Sequence, residues 1–191
     1  MRHDLFATPI WVKDYPEMDT TPILNLCREL RDADPNGRII SNRNGWQSAD
    51  IYSDTNKELE ELEKYILQNS IELLSQMGYN TDIHVTNFWF NVNNENSVNL
   101  PHIHDNSILS GVFYLSLGKS PGFLTFHREH KDTYILASHK THRLTLLNSS
   151  TIAYAPVEKR LILFPAWLPH SVDTSGTNEP RISMAFNIKQ K

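Results

Sequence analysis

One cysteine, Cys27, is all this chain has, which excludes an internal disulfide and fits a reducing, cytoplasmic setting. Long apolar runs are missing too: the longest, residues 161–168, contains Pro165 and is far too short to span a bilayer. The N-terminus shows neither a basic region followed by an apolar stretch nor a cleavage signature, so no leader is expected. Charge of neither sign dominates. With 18 Lys and Arg against 22 Asp and Glu, the net charge of -4 offers no field to gather nucleic acid or an anionic membrane. No repeat period, low-complexity tract or long linker divides the sequence. At 191 residues the chain is expected to form one domain, 1–191, long enough to bury a full core.

What is present divides into a helical front, 1–80, and a strand-rich back, 81–191. Thr21-Pro22 reads as a cap followed by a first-turn proline, opening a helix to about Asp32 in which Cys27 sits among Ile23, Leu24, Leu26 and Leu30 as a core residue. Thr55-Asn-Lys-Glu58 reads as a capping box; Leu59, Leu62, Ile66, Leu73, Leu74 and Met77 then form one apolar face before Gly78 ends the helix. One or two short strands are expected around Trp46. The strand from Ile83 to Val92 has large apolar residues on both faces, Trp89 with Ile83 and Val85, and Phe88 with Phe90 and Val92. Such a strand suits a sheet with a barrel interior on one side and helices on the other. Alternating strands with proline breaks and no βαβ pattern predict a mostly β, two-sheet double-stranded β-helix, a jelly roll with helices packed on one sheet.

The chemistry concentrates in the back half. In His102-Ile103-His104 alternate side chains of an extended strand share a face, so two imidazoles can reach one ion while Ile103 packs on the other side. A third histidine, His170, follows an apolar run broken by Pro165 and Pro169, at an irregular strand end where it can reach inward. A close pair plus one distant histidine is the usual arithmetic of a mononuclear non-haem metal centre. On the next strand Arg181, Ser183, Ala185 and Asn187 share one face, and Ile182, Met184, Phe186 and Ile188 the other. An arginine and a serine side by side suit a carboxylate, which the guanidinium binds bidentately. Asn91, inward with Trp89, is a candidate second contact for the same ligand or a structural hydrogen bond at the rim.

These residues carry a resemblance. The stretch His102-Ile-His104-Asp-Asn-Ser107-Ile-Leu109-Ser110-Gly111-Val112-Phe113-Tyr114-Leu115 is similar to a group of 2-oxoglutarate/Fe(II)-dependent oxygenases related to prolyl-hydroxylase-like dioxygenases. Residues 122–126, 163–172, Arg181-Ile-Ser183 and an N-terminal strand over 5–11 extend it across most of the chain. The resemblance implies a cupin-like jelly roll and Fe(II), 2-oxoglutarate and O2 as cofactor and cosubstrates. It implies iron ligands at His102 and His170, a 2-oxoglutarate carboxylate on Arg181 with Tyr114 assisting, and hydroxylation of a small-molecule or peptide substrate with release of succinate.

One position departs from the wider family, which has His-x-Asp or His-x-Glu where this chain has His104. Three ligand sets stay open: His102, His104 and His170; Asp105 swung in by a bulge; or His104 with Asn106. Charge favours the first, since Fe(II), three neutral imidazoles and doubly negative 2-oxoglutarate sum to about zero. Two other functions stay open as well, a three-histidine iron enzyme that does not use 2-oxoglutarate and a non-catalytic jelly roll. The segment from His127 to Arg143, with His130, His139 and His142, reads as a basic connection near the mouth, in which Lys140 and Arg143 are candidate substrate contacts. Trp167 is read as core or as a pocket wall.

Overall fold

The computed structural model describes residues 1, 3, 6–128, 142–176 and 178–191, so Leu5, His130, His139 and Lys140 lie outside the described residues. The order is β1 (Trp11–Asp14), α1 (Thr21–Ala33), β2 (Asn42–Arg43), β3 (Trp46–Gln47), a 3-10 turn over Lys57–Leu59 and α2 (Glu60–Gln76). Then come β4 (Ile83–Asn93), β5 (Val98–His102), β6 (Leu109–Ser116), β7 (Leu124–His127), β8 (Thr151–Tyr154), β9 (Arg160–Pro165), β10 (His170–Val172) and β11 (Arg181–Gln190). They form two sheets, β1-β9-β6-β11-β4-β3 and β2-β5-β10-β7-β8, the double-stranded β-helix that the pattern predicts. The helical front also contributes to both sheets: β1 pairs with β9, β2 with β5 and β3 with β4. The opening strand begins only at Trp11, and Phe6 is exposed.

Both helices cover the outer face of the six-stranded sheet. Ile23 and Cys27 of α1 and Leu62, Ile66, Leu73 and Leu74 of α2 share a core with Phe88, Phe90, Met184, Phe186 and Ile188. Burial there pushes the Cys27 thiol up to about 11, in keeping with a packing role. A smaller core, Tyr114, Leu124, Phe126, Ile162, Phe164 and Leu168, fills the space between the sheets.

The caps differ in detail. Thr20, not Thr21, is the N-cap of α1, and the Asp19 carboxylate accepts the Thr21 N–H at 3.0 Å. The capping box of α2 does not form, because the Thr55 hydroxyl donates to Tyr52 O and the 3-10 turn intervenes. The C-terminus follows expectation: Gly78 takes φ +76°, and the N–H groups of Gly78 and Tyr79 bond Ser75 O and Leu74 O.

A bulge corrects the reading of β4. Asn187 pairs with Asn87 but Ile188 with Val85, so Thr86 is the extra residue and strand parity reverses there. Ile83 and Val85 therefore face the helices with Phe88 and Phe90, while Trp89, Asn91 and Asn87 line the interior. Two side chains lie elsewhere than expected: Trp167 is 54% and Ile103 45% exposed, so neither is packed away.

Gly111, in β6, is where the outer core allows no side chain. A Cβ there would sit 2.5 Å from the tip of Phe186 and 2.8 Å from Ile162 O. Gly111→Ala is expected to destabilise the fold by about 1–3 kcal/mol, the usual scale of overpacking, read as a lower urea midpoint. Adding Phe186→Leu should return part of that loss; a Gly111→Ala midpoint equal to wild type would contradict the packing described.

Candidate metal centre

Three imidazoles converge between the sheets. His102 ends β5 and pairs directly with His170 at the start of β10. His104 lies two residues beyond β5, where its N–H bonds Ala166 O at 2.9 Å and ties this loop to the turn after β9. The β5–β10 pairing shifts register between His170 and Val172, which accommodates Pro101 at an irregularity where no ladder N–H is needed.

The tautomers suit metal binding. His102 Nδ1 donates to Leu100 O at 2.7 Å and His170 Nδ1 donates to Leu168 O at 2.9 Å. A carbonyl can only accept, so each proton sits on Nδ1 and each Nε2 keeps its lone pair. His104 Nε2 stands 3.2 Å from His170 Nε2, and one ligand atom from each of the three residues lies within 4.8 Å of the others. Two nitrogens held about 2.1 Å from one ion at ordinary ligand angles are roughly 3.0–3.4 Å apart, so this pair fits a shared metal. Asp105 is exposed and outside the cluster, and Asn106 is exposed too.

Burial keeps these rings neutral. Desolvation lowers all three from the ordinary 6.5, His104 to about 4 and His170 to about 3. Phe164 packs 4.6 Å from the His170 ring and Trp89 5.7 Å from that of His104. Neutral imidazole is the form that binds a metal, so no proton has to leave on loading near neutral pH.

The other wall of the same cavity, of about 550 Å³, is the inner face of the six-stranded sheet. Arg181 pairs with Asn93 in the register, and Ser183 pairs with both Asn91 and Tyr114, which puts these polar residues in two adjacent rows. Arg181 is 2% exposed. Its Nη2 donates to Asn93 Oδ1 at 2.8 Å and its Nη1 to Gly122 O at 3.1 Å, but among the described residues Nε has no partner, and neither has Asn91 Oδ1. Among the described residues no carboxylate pairs with Arg181; burial lowers its pKa, and burial raises that of Tyr114 while the guanidinium opposes the rise. A buried guanidinium held by two neutral oxygens and lacking an anion among the described residues is chemically suited to a carboxylate.

Some of the supporting residues are not evident in the sequence. Asn93 shares the inward parity of Asn91 and could have been placed there. Gly122 has no local signal: it is glycine because a Cβ would meet Asp173 O at 1.8 Å, and that close crossing also brings its carbonyl to Arg181. Of the two substrate contacts expected in the basic connection, Arg143 is exposed and Lys140 lies outside the described residues; His127, at the start of that segment, meets Ser171 Oγ at 2.8 Å through Nε2 beside His170.

A family model described as "Putative 2OG-Fe(II) oxygenase" matches residues 87–187, which contain every residue of the cluster and of the arginine pocket. No curated protein matches the chain by sequence. Solved structures share the fold at low identity. A Pseudomonas putida prolyl-4-hydroxylase superposes with TM-score 0.67 at 15% identity over 98% of this chain and 96% of its own. A non-haem alpha-ketoglutarate-dependent carbocyclase from nogalamycin biosynthesis gives 0.66 at 11% over 96% and 80%. A Trichoplax adhaerens prolyl hydroxylase, solved with a hypoxia inducible factor peptide fragment, gives 0.60 at 14% over 95% and 83%.

Depressed histidines link stability to pH. An unfolded chain protonates His104 and His170 near 6.5, whereas the folded protein resists until about 4 and 3, so stability present above pH 6.5 is lost as the pH falls through that window. The urea midpoint of the metal-free protein is expected to drop between about pH 7 and pH 4, and the slope should be shallower in a His104→Gln/His170→Gln variant. Identical slopes would place the acid sensitivity elsewhere.

Proposed function

Because the chain belongs to the 2-oxoglutarate/Fe(II) oxygenase family, we propose that His102, His104 and His170 hold Fe(II), that Arg181 binds 2-oxoglutarate, and that the outcome is hydroxylation of a small-molecule or peptide substrate. The buried Arg181, on the wall facing the three histidines and without an anionic partner among the described residues, carries this reading. Iron held there would, with 2-oxoglutarate and dioxygen, supply the oxidising chemistry, 2-oxoglutarate being converted to succinate and carbon dioxide.

The protein's part is placement and exclusion. Leu100 and Leu168 carbonyls hold two of the rings with Nε2 forward, and burial keeps them neutral and ready. Arg181 offers its unpartnered Nε–H to the distal carboxylate, Tyr114 and Ser183 supply hydroxyls from the adjacent row, and Asn91 adds an amide. Trp89, Val112 and Ala185 form an apolar stretch of wall that excludes water beside His104. With three neutral ligands the protein adds no negative charge to the metal, so 2-oxoglutarate supplies the anionic ligation. Hydroxylation is one of several outcomes within this architecture, since similar folds belong to a carbocyclase and an epimerase.

Anaerobic addition of Fe(II) and 2-oxoglutarate is expected to give a weak visible charge-transfer band, lost in His102→Ala, His104→Ala and His170→Ala. Survival of iron binding in His104→Ala with loss in Asp105→Ala would replace His104 by Asp105 as ligand. The three-histidine set with an exposed Asp105 also suits an iron enzyme whose substrate binds the metal directly; that reading gives metal binding but no such band. Calorimetric titration into the Mn(II)-loaded protein should show Arg181→Ala weakening 2-oxoglutarate roughly 30- to 1,000-fold, with Arg181→Lys recovering only part and metal affinity unchanged. Unchanged 2-oxoglutarate affinity in Arg181→Ala would sink the cosubstrate assignment.

A further inference from the structure

The inner wall continues past the metal cluster into a polar row that none of the roles above uses. Counting along β11, Arg181 faces Asn93, Ser183 faces Asn91 and Tyr114, Ala185 faces Trp89 and Val112, and Asn187 faces Asn87 and Ser110. Inward residues on one strand are about 6.5–7 Å apart, and the Trp89 row is the one beside His104. The Asn187 row therefore lies on the opposite side of the cluster from Arg181.

Its hydrogen bonds have a direction. Ser110 Oγ donates to Phe186 O and Asn187 Oδ1 at 3.0 and 3.1 Å, and Asn187 Nδ2 to Asn87 Oδ1 at 3.4 Å. Thr86, the bulged residue, reaches Asn87 Oδ1 at 2.9 Å, and Asn87 Nδ2 donates to Asp50 Oδ1 at 3.2 Å. The relay ends on one carboxylate and braces it by one oxygen. The other, Asp50 Oδ2, meets Arg38 Nη1 at 3.1 Å through a single contact, with the two side chains 35% and 43% exposed. A half-exposed pair of this kind contributes little to stability and exchanges readily for a ligand. Arg38, Asp50 and Arg181 are the only Asp, Glu, Lys or Arg residues lining the cavity among the described residues.

We propose that this row is the subsite for the substrate to be oxidised, and that it takes the head group of a free α-amino acid, its carboxylate on Arg38 and its ammonium on Asp50. The role as substrate subsite rests on the oxygenase reading above; the binding itself does not. Adjacent opposite charges on one wall complement a zwitterion, where a lone arginine would select an anion and a lone aspartate a cation. The cavity is large enough for 2-oxoglutarate and a second small molecule together, and the braced Asp50 fixes where the head group sits. A relay serving only to satisfy the bulge would have no need to end on a solvent-facing ion pair.

The test is calorimetric titration of each of the twenty L-amino acids into the metal-free and the Mn(II)- and 2-oxoglutarate-loaded protein, followed by the N-acetyl and carboxamide derivatives of the tightest binder. At least one amino acid is expected to bind, and each derivative to bind about tenfold or more weakly, the usual cost of losing a charge-assisted contact. Asp50→Asn should erase the penalty for N-acetylation and Arg38→Gln that for amidation, with the thermal midpoints of both variants at wild type. No binding by any of the twenty in either state, or derivatives that bind as well as the parent, or variants that leave both penalties intact, would overturn the proposal. Failure of 2-oxoglutarate to bind the Mn(II)-loaded wild type would instead sink the oxygenase reading, leaving amino-acid binding to the metal-free protein to stand or fall by itself.

Discussion

A guanidinium that is 2% exposed and has no carboxylate partner among the described residues governs the interior of this protein. Burying a charge is costly unless it is paired, and among the described residues Arg181 receives two neutral oxygens, from Asn93 and Gly122. An anion from outside the chain would meet the demand that remains, as the proposed 2-oxoglutarate carboxylate does. The rest of the wall is arranged around it: Asn93 and Gly122 hold the fork, Ser183, Tyr114 and Asn91 place polar groups beside it, and on the proposed reading the three neutral histidines opposite would leave a metal's charge for the same anion to balance. Had one of the three been an aspartate, a negative charge would already stand at the metal position itself.

The two sheets divide the labour. Three strands of the larger sheet, β4, β6 and β11, present rows at fixed spacing, so that carboxylate receptor, hydroxyls, apolar wall and amide relay follow one another along a single face. The smaller sheet and its loops present the imidazoles, on a strand pairing that is irregular just where His102 and His170 meet. The helices stay behind the larger sheet, and their core with Phe88, Phe186 and Ile188 backs the rows from the outer side.

Much of this was legible from residue order. Parity alone placed Arg181, Ser183, Ala185 and Asn187 on the inner face, because β11 keeps its alternation throughout, and the apolar stripe of α2 forecast its buried face. Parity failed on β4, where Thr86 bulges, since a bulge depends on the neighbouring strand's hydrogen bonds and leaves no mark in local composition. Trp167 failed for a related reason: a large aromatic between two prolines reads as buried, but the turn after β9 turns it outward. Gly122 acts through a contact with Arg181 59 residues away, and the Arg38–Asp50 pair through a loop that folds back on itself, neither of which periodicity reports.

Strand β11 has a kinetic consequence. It is the last strand in chain order, yet it lies inside the larger sheet between β4 and β6, and the bond from Arg181 to Asn93 spans 88 residues. Pairings at such separation close long loops before any contact rewards them, which sets folding at the slow end for a domain of this size. During synthesis β4 and β6 would each wait with an unpaired edge until residues 181–190 arrive. The strand that brings Arg181 into the pocket is thus also the one whose insertion completes the sheet, so burial of that guanidinium and closure of the fold are one event.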